Sequence, residues 1–478
     1  MELLFESRRE VVGRRGRLMA FQTTASVSPD PILSPDEDHD RGGCAIYGTV
    51  LAEKGSFRMW YQAAAGDHRW DQDFSDVAMA ESENGLVWKK PAGPSGRKLT
   101  NLGLHSPAIS QQGDLYLATG CGKRSSGRNA AAREPGYYLA TSPDGWEWEL
   151  APGVPPIPGG DVITSLWDDR TQTGHAVFKH LRYHGGIQRR CLFEANFTAD
   201  GWATPRLALM PTDADDHAAL MRGSRSADYY GMTLLSSGKT ASLGLVWVFY
   251  HQPPYYQSGS GIFGGSALVP VFRERPEDPW IFAPGRQPFL EHPAGHALAP
   301  FFYAASSILT VGNEQRLYCT AFHRGHGWTL NEQRKRETAV VEQLQAEGIA
   351  SLHVARWARD RFFGFRAETE AELILDLGPI TAPASLRLNY RTTPGGWIRV
   401  SVAKNGPGAF LPGFSPLPDQ AEPGWSGAEC LPLEGDAVDG EVQWTTGTTL
   451  PVTTPDQSLI VTIKLFLAEC YAYEIVSP

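Results

Sequence analysis

Carboxylates and histidines are the side chains of this sequence whose types and positions could carry out acid–base chemistry. An acidic run, Asp36-Glu37-Asp38-His39-Asp40-Arg41, leads into a short apolar strand candidate, and Asp161 stands between a glycine pair and a β-branched run. A carboxylate can act as a base, a nucleophile or, when protonated, an acid, and a histidine, with a pKa of about 6.5, can abstract a proton at neutral pH. Because these residues are far apart in the chain, separate strands must bring them together.

Other chemistries leave no trace in the sequence. It contains no glycine-rich nucleotide loop followed by a helix, no H-E-x-x-H motif and no Cys/His spacing typical of zinc sites, so no cofactor is implied. A structural Ca²⁺ or another ion stays open. The six cysteines lack C-x-x-C spacing and mostly lie in or beside apolar runs, which predicts buried free thiols.

Composition narrows the class of protein. The chain has 478 residues with 43 Lys and Arg against 53 Asp and Glu, and its net charge of −10 argues against nucleic acid or an anionic membrane surface as the main partner. No apolar run is long enough to span a membrane, and the arginine-rich start has no apolar signal segment, so we expect a cytoplasmic location. The 50 glycines and 35 prolines favour an all-β architecture with many turns.

A hairpin motif repeats through the first half of the chain. The form S-x-[DN]-G-x-x-W occurs at residues 82–88 and 142–148, with a looser copy at 198–202. The glycines Gly85, Gly145 and Gly201 are 60 and 56 residues apart. Asn-Gly and Asp-Gly between apolar runs indicate tight turns, so we interpret these residues as architectural rather than catalytic.

A second series of aromatic and apolar strands has a similar period. Its landmarks Trp60, Tyr116, Val177, Val248 and Tyr318 follow one another at steps of 56, 61, 71 and 70 residues. Such a period predicts a five-bladed β-propeller over residues 35–365, because sheets in a ring bury each other's faces. Alternating strands beyond about Arg366 predict a β-sandwich at 366–478, and residues 1–34 read as an N-terminal extension.

Together these features resemble a known family. Phe57-Arg58-Met59-Trp60-Tyr61, the hairpin motifs, the segment 161–168, Arg324-Gly325-His326-Gly327 and the segment 360–365 are similar to sequences of the five-bladed β-propeller glycosidases. These are the arabinanase and β-xylosidase-like and the invertase and levansucrase-like enzymes, and especially bacterial relatives with a C-terminal β-sandwich. The resemblance implies a funnel on the propeller axis with carboxylates at the starts of successive blades.

Mapping blade starts onto this sequence gives the candidate site. The resemblance implies that Asp40, Asp161 and Asp228 share the base or nucleophile, acid and stabilising roles. Substrate contacts are assigned to four further residues: Arg41, His105, Arg225 and His326. At blade two Ser106 precedes Pro107 where the enzymes commonly have Asp-Pro, and the blade-five start, residues 296–303, has no acid.

The leading hypothesis is therefore a glycoside hydrolase or transglycosylase that acts on a small furanoside or pyranoside. The missing acids at blades two and five keep a non-catalytic carbohydrate-binding propeller as an alternative. A sugar lyase or isomerase with His326 or His105 as the base is another. The sugar, the stereochemical outcome and the oligomeric state stay open.

Overall fold

The structure, a computed structural model, is built almost entirely of β-strands. Five of its sheets have four or five antiparallel strands and a sixth has eight. The described residues are 1–4, 8–53, 55–65, 76–122, 134–169, 171–184, 187–236, 242–252, 262–291, 302–323, 325–327, 342, 348–405 and 421–477.

The chain begins with three short strands, whose partners lie near the other end of the chain. They are β1 (Glu2–Leu3), β2 (Val11–Gly16) and β3 (Met19–Gln22). Blade one follows, with β4 (Gly43–Ala45), β5 (Val50–Glu53), β6 (Ser56–Ala64) and β7 (Val77–Ser82). Because β4 and β5 both pair with β6, on the side opposite to β7, they share the first position of this blade.

Blades two and three repeat the antiparallel order. Blade two contains β8 (His105–Gln112), β9 (Leu115–Gly122), β10 (Gly136–Ser142) and β11 (Glu149–Leu150). Blade three contains β12 (Ile163–Asp168), β13 (Thr173–His184), β14 (Ile187–Thr198), β15 (Gly201–Trp202) and β16 (Arg206–Leu209). A helix, α1 (Asp213–Met221), then leads to blade four and is capped by Thr212 and Asp215 in a capping box.

The last two blades complete the series. Blade four contains β17 (Ala227–Ser236), β18 (Ser242–His251), β19 (Gly264–Arg273), β20 (Ile281–Phe282) and β21 (Leu290–Glu291). A short 3-10 turn, Pro284–Arg286, lies between β20 and β21. Blade five contains β22 (Phe302–Ala304), β23 (Leu309–Val311), β24 (Glu314–Phe322) and β25 (Ala350–Ala358).

The first strands of the five blades, with the residues between β4 and β5 and between β22 and β23, form a closed ring around an axis. Between each blade and the next, a serine or threonine hydroxyl makes a hydrogen bond from one innermost segment to the other. A pair of hydroxyls joins blade five to blade one and so completes the ring. The contacts run from the Ile109 N–H to Thr49 Oγ1 (2.9 Å), from Ser106 Oγ to the Ile163 carbonyl (2.9 Å), from Thr164 Oγ1 to the Met232 carbonyl, from Thr233 Oγ1 to the Ala305 carbonyl (2.8 Å), and between Thr49 Oγ1 and Ser306 Oγ (2.7 Å). The first strands are therefore the innermost ones.

The sequence landmarks lie on equivalent strands. Trp60, Tyr116, Val177, Val248 and Tyr318 belong to β6, β9, β13, β18 and β24, the second strand of each blade. The predicted fold class, an all-β chain with a five-bladed propeller and a second β region, is confirmed. The six cysteines are buried and free, as predicted.

The hairpin motifs hold neighbouring blades together. In the second copy, Gly145 has a φ of +79° and Asp144 Oδ1 accepts the N–H of Trp146 at 2.8 Å. The Gly145 carbonyl then accepts the indole N–H of Trp60, in blade one, at 2.9 Å. The carbonyl of Gly85 in the first copy accepts the Tyr318 hydroxyl of blade five in the same way, also at 2.9 Å. The motif therefore has a structural role: the glycine carbonyl of its turn makes a hydrogen bond to an aromatic side chain of the preceding blade in the ring.

The segment before blade one completes blade five. The N–H groups of Ser28 and Ile32 donate to the carbonyls of Val354 and Leu352 on β25, at 2.9 and 2.8 Å. Residues that precede blade one in the sequence thus form the outer edge of the last blade, which closes the ring by hydrogen bonds between distant parts of the chain.

The eight-stranded sheet has a core of its own and contains both ends of the chain. Its C-terminal strands are β26 (Phe363–Ala367), β27 (Ala371–Asp376), β28 (Ser385–Asn405), β29 (Asp436–Glu441) and β30 (Ser458–Val476). β1 pairs with β30, β2 with β27 and β3 with β26. The long strands β28 and β30 are interrupted by register shifts, so the sheet bends around a separate apolar cluster that includes Ile398 and Trp444. Among the described residues, no helix has the length and apolar character that crossing a bilayer requires.

Candidate functional site

Asp161 lies at the entrance of the innermost strand of blade three, just before β12. Its carboxylate contacts two side chains: Oδ1 lies 3.1 Å from His105 Nε2, and Oδ2 pairs with Lys179 Nζ. The Asp161 side chain retains 25% exposure, whereas that of Lys179 retains 8%. The hydrogen bond from Lys179 favours an ionised carboxylate, and the remaining exposure leaves it open to a ligand.

A buried glutamine fixes the proton position on His105. Gln62, which is fully buried on β6, accepts the N–H of Ser106 at its Oε1 and so directs its amide N–H₂ to His105 Nδ1, 3.1 Å away. With Nδ1 accepting that hydrogen bond, the ring proton of a neutral His105 is on Nε2, which lies 3.1 Å from Asp161 Oδ1. Blade one thereby orients a blade-two histidine toward a blade-three carboxylate.

Three tyrosines form the apolar wall beside this pair. The rings of Tyr47 and Tyr303 are 4.1 Å apart, Tyr230 lies 5.4 Å from Tyr303, and Tyr47 lies 5.1 Å from the His105 ring. Burial raises the pKa of Tyr47 and of Tyr230 well above the usual tyrosine range, so both are neutral hydroxyls. Lys179 Nζ sits 3.9 Å from the Tyr230 ring centre, in a cation–π contact.

All five blades contribute to this arrangement, which we call the axial cluster. Its members are Tyr47 of blade one, His105 of blade two, Asp161 and Lys179 of blade three, Tyr230 of blade four, and Tyr303 of blade five. It combines a partly exposed carboxylate, a polarised imidazole, an ammonium group and aromatic faces. Aromatic faces and a few polar groups at a ring axis suit a small polar ligand with an apolar face.

His326 borders the axial cluster as a neutral histidine. Its Nδ1 donates to the carbonyl of Ile262 at 2.6 Å, and Nε2 lies 3.2 Å from the Tyr230 hydroxyl, which donates to it. Burial, together with nearby Arg190, lowers the pKa of His326 to about 3. A histidine held in this way positions Tyr230 and carries no charge at neutral pH.

Asp228 is enclosed by cations. Its carboxylate accepts hydrogen bonds from Arg189 at 2.9 Å, Arg190 at 3.2 Å and His251 at 3.1 Å, and its side chain is 1% exposed. Burial opposes ionisation, but His251, Arg190 and Arg189 outweigh it and lower the pKa of Asp228 to about 2. Asp228 is thus ionised at neutral pH, and Arg190 contacts both its carboxylate and the ring of Tyr230. Arg225 lies on the exposed surface before β17.

Asp40 belongs to a different buried group. One of its oxygens accepts the Tyr61 hydroxyl at 2.9 Å and the Cys44 thiol at 3.3 Å, and lies 2.6 Å from Lys90 Nζ. The Asp40 side chain is fully buried. The partners named for Asp40 and Asp161 do not overlap. Arg41, half exposed, pairs with Asp38 at 3.1 Å.

The structure therefore brings together part of the predicted site. Asp161 and His105 are in direct contact, and His326 and Asp228 adjoin them through Tyr230 and Arg190. Asp40 has a separate set of partners, and the Arg41 and Arg225 side chains are exposed. The backbone N–H of Arg225 donates to the carbonyl of His251, which contacts Asp228. Ser106, where the resemblance implies an acid, links blades through Ile163 instead. Residues 292–301 and Arg324 lie outside the described residues. Within the described ranges, no three His, Cys, Asp or Glu side chains are grouped as a metal ion would require.

Sequence reasoning missed Lys179 and the tyrosine wall. Lys179 interrupts the apolar run of β13, and a charge in a buried strand is a signal that something must neutralise it. Tyr230 and Tyr303 lie in the segments predicted to start blades four and five, but in the sequence they look like the other aromatic residues, most of which pack between blades.

No family model matches the chain, and no curated protein matches it. Similar solved structures include an N-acetylgalactosamine deacetylase from F. plautii in complex with blood group B trisaccharide (12% identity, 71% of this chain and 96% of that one, TM-score 0.45). They also include a glycoside hydrolase family 43 arabinoxylan arabinofuranohydrolase from Bacillus subtilis (11% identity, 94% of this chain and 99% of that one, TM-score 0.40). A third is a β-fructofuranosidase of glycoside hydrolase family 32 from Bombyx mori (12% identity, 93% of this chain and 94% of that one, TM-score 0.41).

Proposed function

We propose that the axial cluster binds a small furanoside or pyranoside and that Asp161 takes part in cleaving or transferring its glycosidic bond. The proposal rests on the exposure and the contacts of the Asp161 side chain. Of the three predicted carboxylates, it alone combines partial exposure with contacts from two blades, whereas the Asp40 and Asp228 side chains are 0% and 1% exposed.

The contacts of Asp161 define its role. A carboxylate that contacts His105 and pairs with Lys179 suits a base, or a stabiliser of the positive charge that develops on a sugar ring during bond cleavage. The proton for the departing oxygen then comes from a neighbouring acid, and the Lys179 ammonium is a charged donor in contact with Asp161. The tyrosine wall, whose members are 3% to 8% exposed, makes the surroundings of Asp161 apolar.

The direct test is hydrolysis of a panel of aryl glycosides and oligosaccharides by the wild type and by Asp161→Asn. We expect turnover of at least one substrate and a loss of about a hundredfold or more in the variant. Asp169→Asn, an exposed turn residue at the other end of β12, is the matched control and should keep wild-type activity. Normal turnover by Asp161→Asn would refute the assignment.

A second candidate function is sugar binding without catalysis. It is favoured by the enclosure of Asp40 and Asp228, which leaves one partly exposed carboxylate where glycoside hydrolysis commonly uses two. Calorimetric binding of sugars without any turnover would support this candidate. An unsaturated product that absorbs in the ultraviolet would instead support elimination.

A further inference from the structure

Three side chains at the entrance of blade four form a serine–histidine–aspartate row. Ser226 Oγ lies 3.1 Å from His251 Nδ1, and His251 Nε2 lies 3.1 Å from Asp228 Oδ2. Ser226 and Asp228 flank the first residue of the innermost strand β17, and His251 is the last residue of the neighbouring strand β18. The imidazole therefore connects a hydroxyl at one ring nitrogen with a carboxylate at the other.

The charge of Asp228 fixes the position of the proton on His251. Asp228 is ionised at neutral pH, and its oxygens can then only accept hydrogen bonds, so a neutral His251 carries its proton on Nε2. The lone pair of Nδ1 is thereby left for the Ser226 hydroxyl, 3.1 Å away. In this arrangement a histidine can take the proton of a serine as a general base.

The burial of the three side chains follows the order that such a row requires. The Asp228 side chain is 1% exposed, that of His251 is 16% exposed, and Ser226 is partly exposed. The imidazole is held from two further directions, because its ring lies 5.1 Å from the Phe249 ring and its backbone N–H donates to the Ser226 carbonyl at 2.9 Å. The carboxylate is thus enclosed, while the hydroxyl can meet a substrate.

We propose that Ser226, His251 and Asp228 form a second catalytic site, which hydrolyses esters of small carboxylic acids. Ser226 Oγ attacks the ester carbonyl carbon and gives its proton to His251 Nδ1. The bond from that carbon to the alkoxy oxygen breaks, the proton passes from His251 to the departing alcohol, and the acyl group stays on Ser226. Water then attacks the acyl carbon and returns a proton through His251 to Ser226 Oγ as the carboxylic acid leaves.

The first experiment treats the full chain with an alkyl fluorophosphonate. Ser226 Oγ should form a bond to phosphorus while the P–F bond breaks, with fluoride and the serine proton released. We expect one phosphonyl group per chain, located on Ser226 by mass spectrometry of proteolytic peptides. The same protein should hydrolyse p-nitrophenyl acetate, with a burst of p-nitrophenol that reports the acyl-enzyme.

Two variants remove the reacting groups. Ser226→Ala and His251→Gln should each lose the label and lower kcat/KM for p-nitrophenyl acetate about a hundredfold or more, because the nucleophile or the base is missing. Ser242→Ala is the matched control, since Ser242 is partly exposed and lies at the opposite end of β18 from His251. It should keep wild-type labelling and turnover, and thermal melting checks that each variant is folded.

Asp228 acts through His251, so its positioning role is read from the proton NMR spectrum. A His251 Nε2–H that donates to a carboxylate should give a low-field resonance, which disappears in His251→Gln and moves upfield in Asp228→Asn. A resonance that is unchanged in Asp228→Asn would overturn this role.

The proposed site is wrong if the fluorophosphonate labels another residue or none, or if Ser226→Ala hydrolyses p-nitrophenyl acetate as fast as the wild type. Neither result bears on the proposed function, because glycoside turnover is assigned to Asp161 and is measured on different substrates.

Discussion

Nε2 of His105 lies 3.1 Å from Oδ1 of Asp161, so a histidine–carboxylate pair joins the innermost strands of blades two and three at the axis. The imidazole is oriented from its other side by Gln62 of blade one. Three blades thus fix the direction of one carboxylate, an arrangement that restricts Asp161 to a narrow range of positions.

The first prediction concerns this orientation. Gln62→Leu removes the donor to His105 Nδ1 and should lower kcat about ten- to hundredfold with little change in KM, because Gln62 positions the reacting pair without contacting substrate. Steady-state kinetics on the substrate found for the wild type is the measurement. If KM rises while kcat is unchanged, Gln62 contributes to sugar binding and this positioning role is wrong.

The second prediction concerns acid stability. Glu194, 4% exposed, accepts hydrogen bonds from Arg273 and Trp280. Burial opposes ionisation of Glu194, but its contacts with His175, Arg273 and Trp280 lower its pKa to about 2. The pKa of Asp228 is also lowered to about 2, by His251, Arg190 and Arg189. Because both folded pKa values lie below those of the unfolded chain, each carboxylate contributes stability above about pH 5 that is lost as the pH falls toward about 2.

The expected contribution is of the order of 2–3 kcal/mol for each carboxylate. Urea unfolding of the wild type between about pH 6 and pH 3 should give a free energy of unfolding that decreases with decreasing pH. Glu194→Gln and Asp228→Asn should each show a shallower decrease. They should also be less stable at neutral pH by about 3–5 kcal/mol, because each leaves buried cations uncompensated. If the free energy of unfolding of a variant falls with decreasing pH as steeply as that of the wild type, the replaced carboxylate does not have a lowered pKa in the folded protein.

The third prediction concerns the lock between blades one and two. Gly145→Ala places a Cβ 2.7 Å from Trp60 at a φ of +79°, so it combines backbone strain with a clash at the blade interface. Gly153→Ala is the matched control, since Gly153 has a φ of +76° and no atom within 4 Å of its Cβ position. We expect a loss of about 1 kcal/mol in the control and a further loss of about 1–3 kcal/mol in Gly145→Ala. Equal melting temperatures for the two variants would show that the interface tolerates the extra methyl group.

The fourth prediction concerns the cysteines. All six are buried, and burial raises the pKa of the Cys44 thiol well above its usual range. Ellman's reagent should therefore find almost no reactive thiol in the native protein at pH 8 and all six after denaturation in guanidinium. A thiol that reacts rapidly in the native state would show that one of these positions opens to solvent.

The propeller was predictable from local patterns. Turn residues such as Asp144 and Gly145 act within a few positions of one another, and the second strand of each blade repeats an apolar run, so sequence spacing carries both signals. The same reasoning located Asp161 because a glycine pair and a β-branched run flank it.

The remaining parts depend on contacts between distant residues. Lys90 reaches Asp40 across 50 positions, and Arg190 reaches Asp228 across 38, and no local pattern records either pairing. The acidic run around Asp40 therefore reads as a reactive cluster in the sequence, although a buried lysine neutralises Asp40 in the fold. The pairing of residues 2–22 with strands from Phe363 onward could not be predicted either, because the local composition of a strand does not indicate which distant strand it pairs with.

The shared eight-stranded sheet has a consequence for the order of assembly. During synthesis, β1 is made before the propeller strands, yet its partner β30 is made after them. The backbone groups of β1 that pair with β30 therefore stay unpaired until the whole propeller has been made. Completion of this sheet is thus a late step of folding.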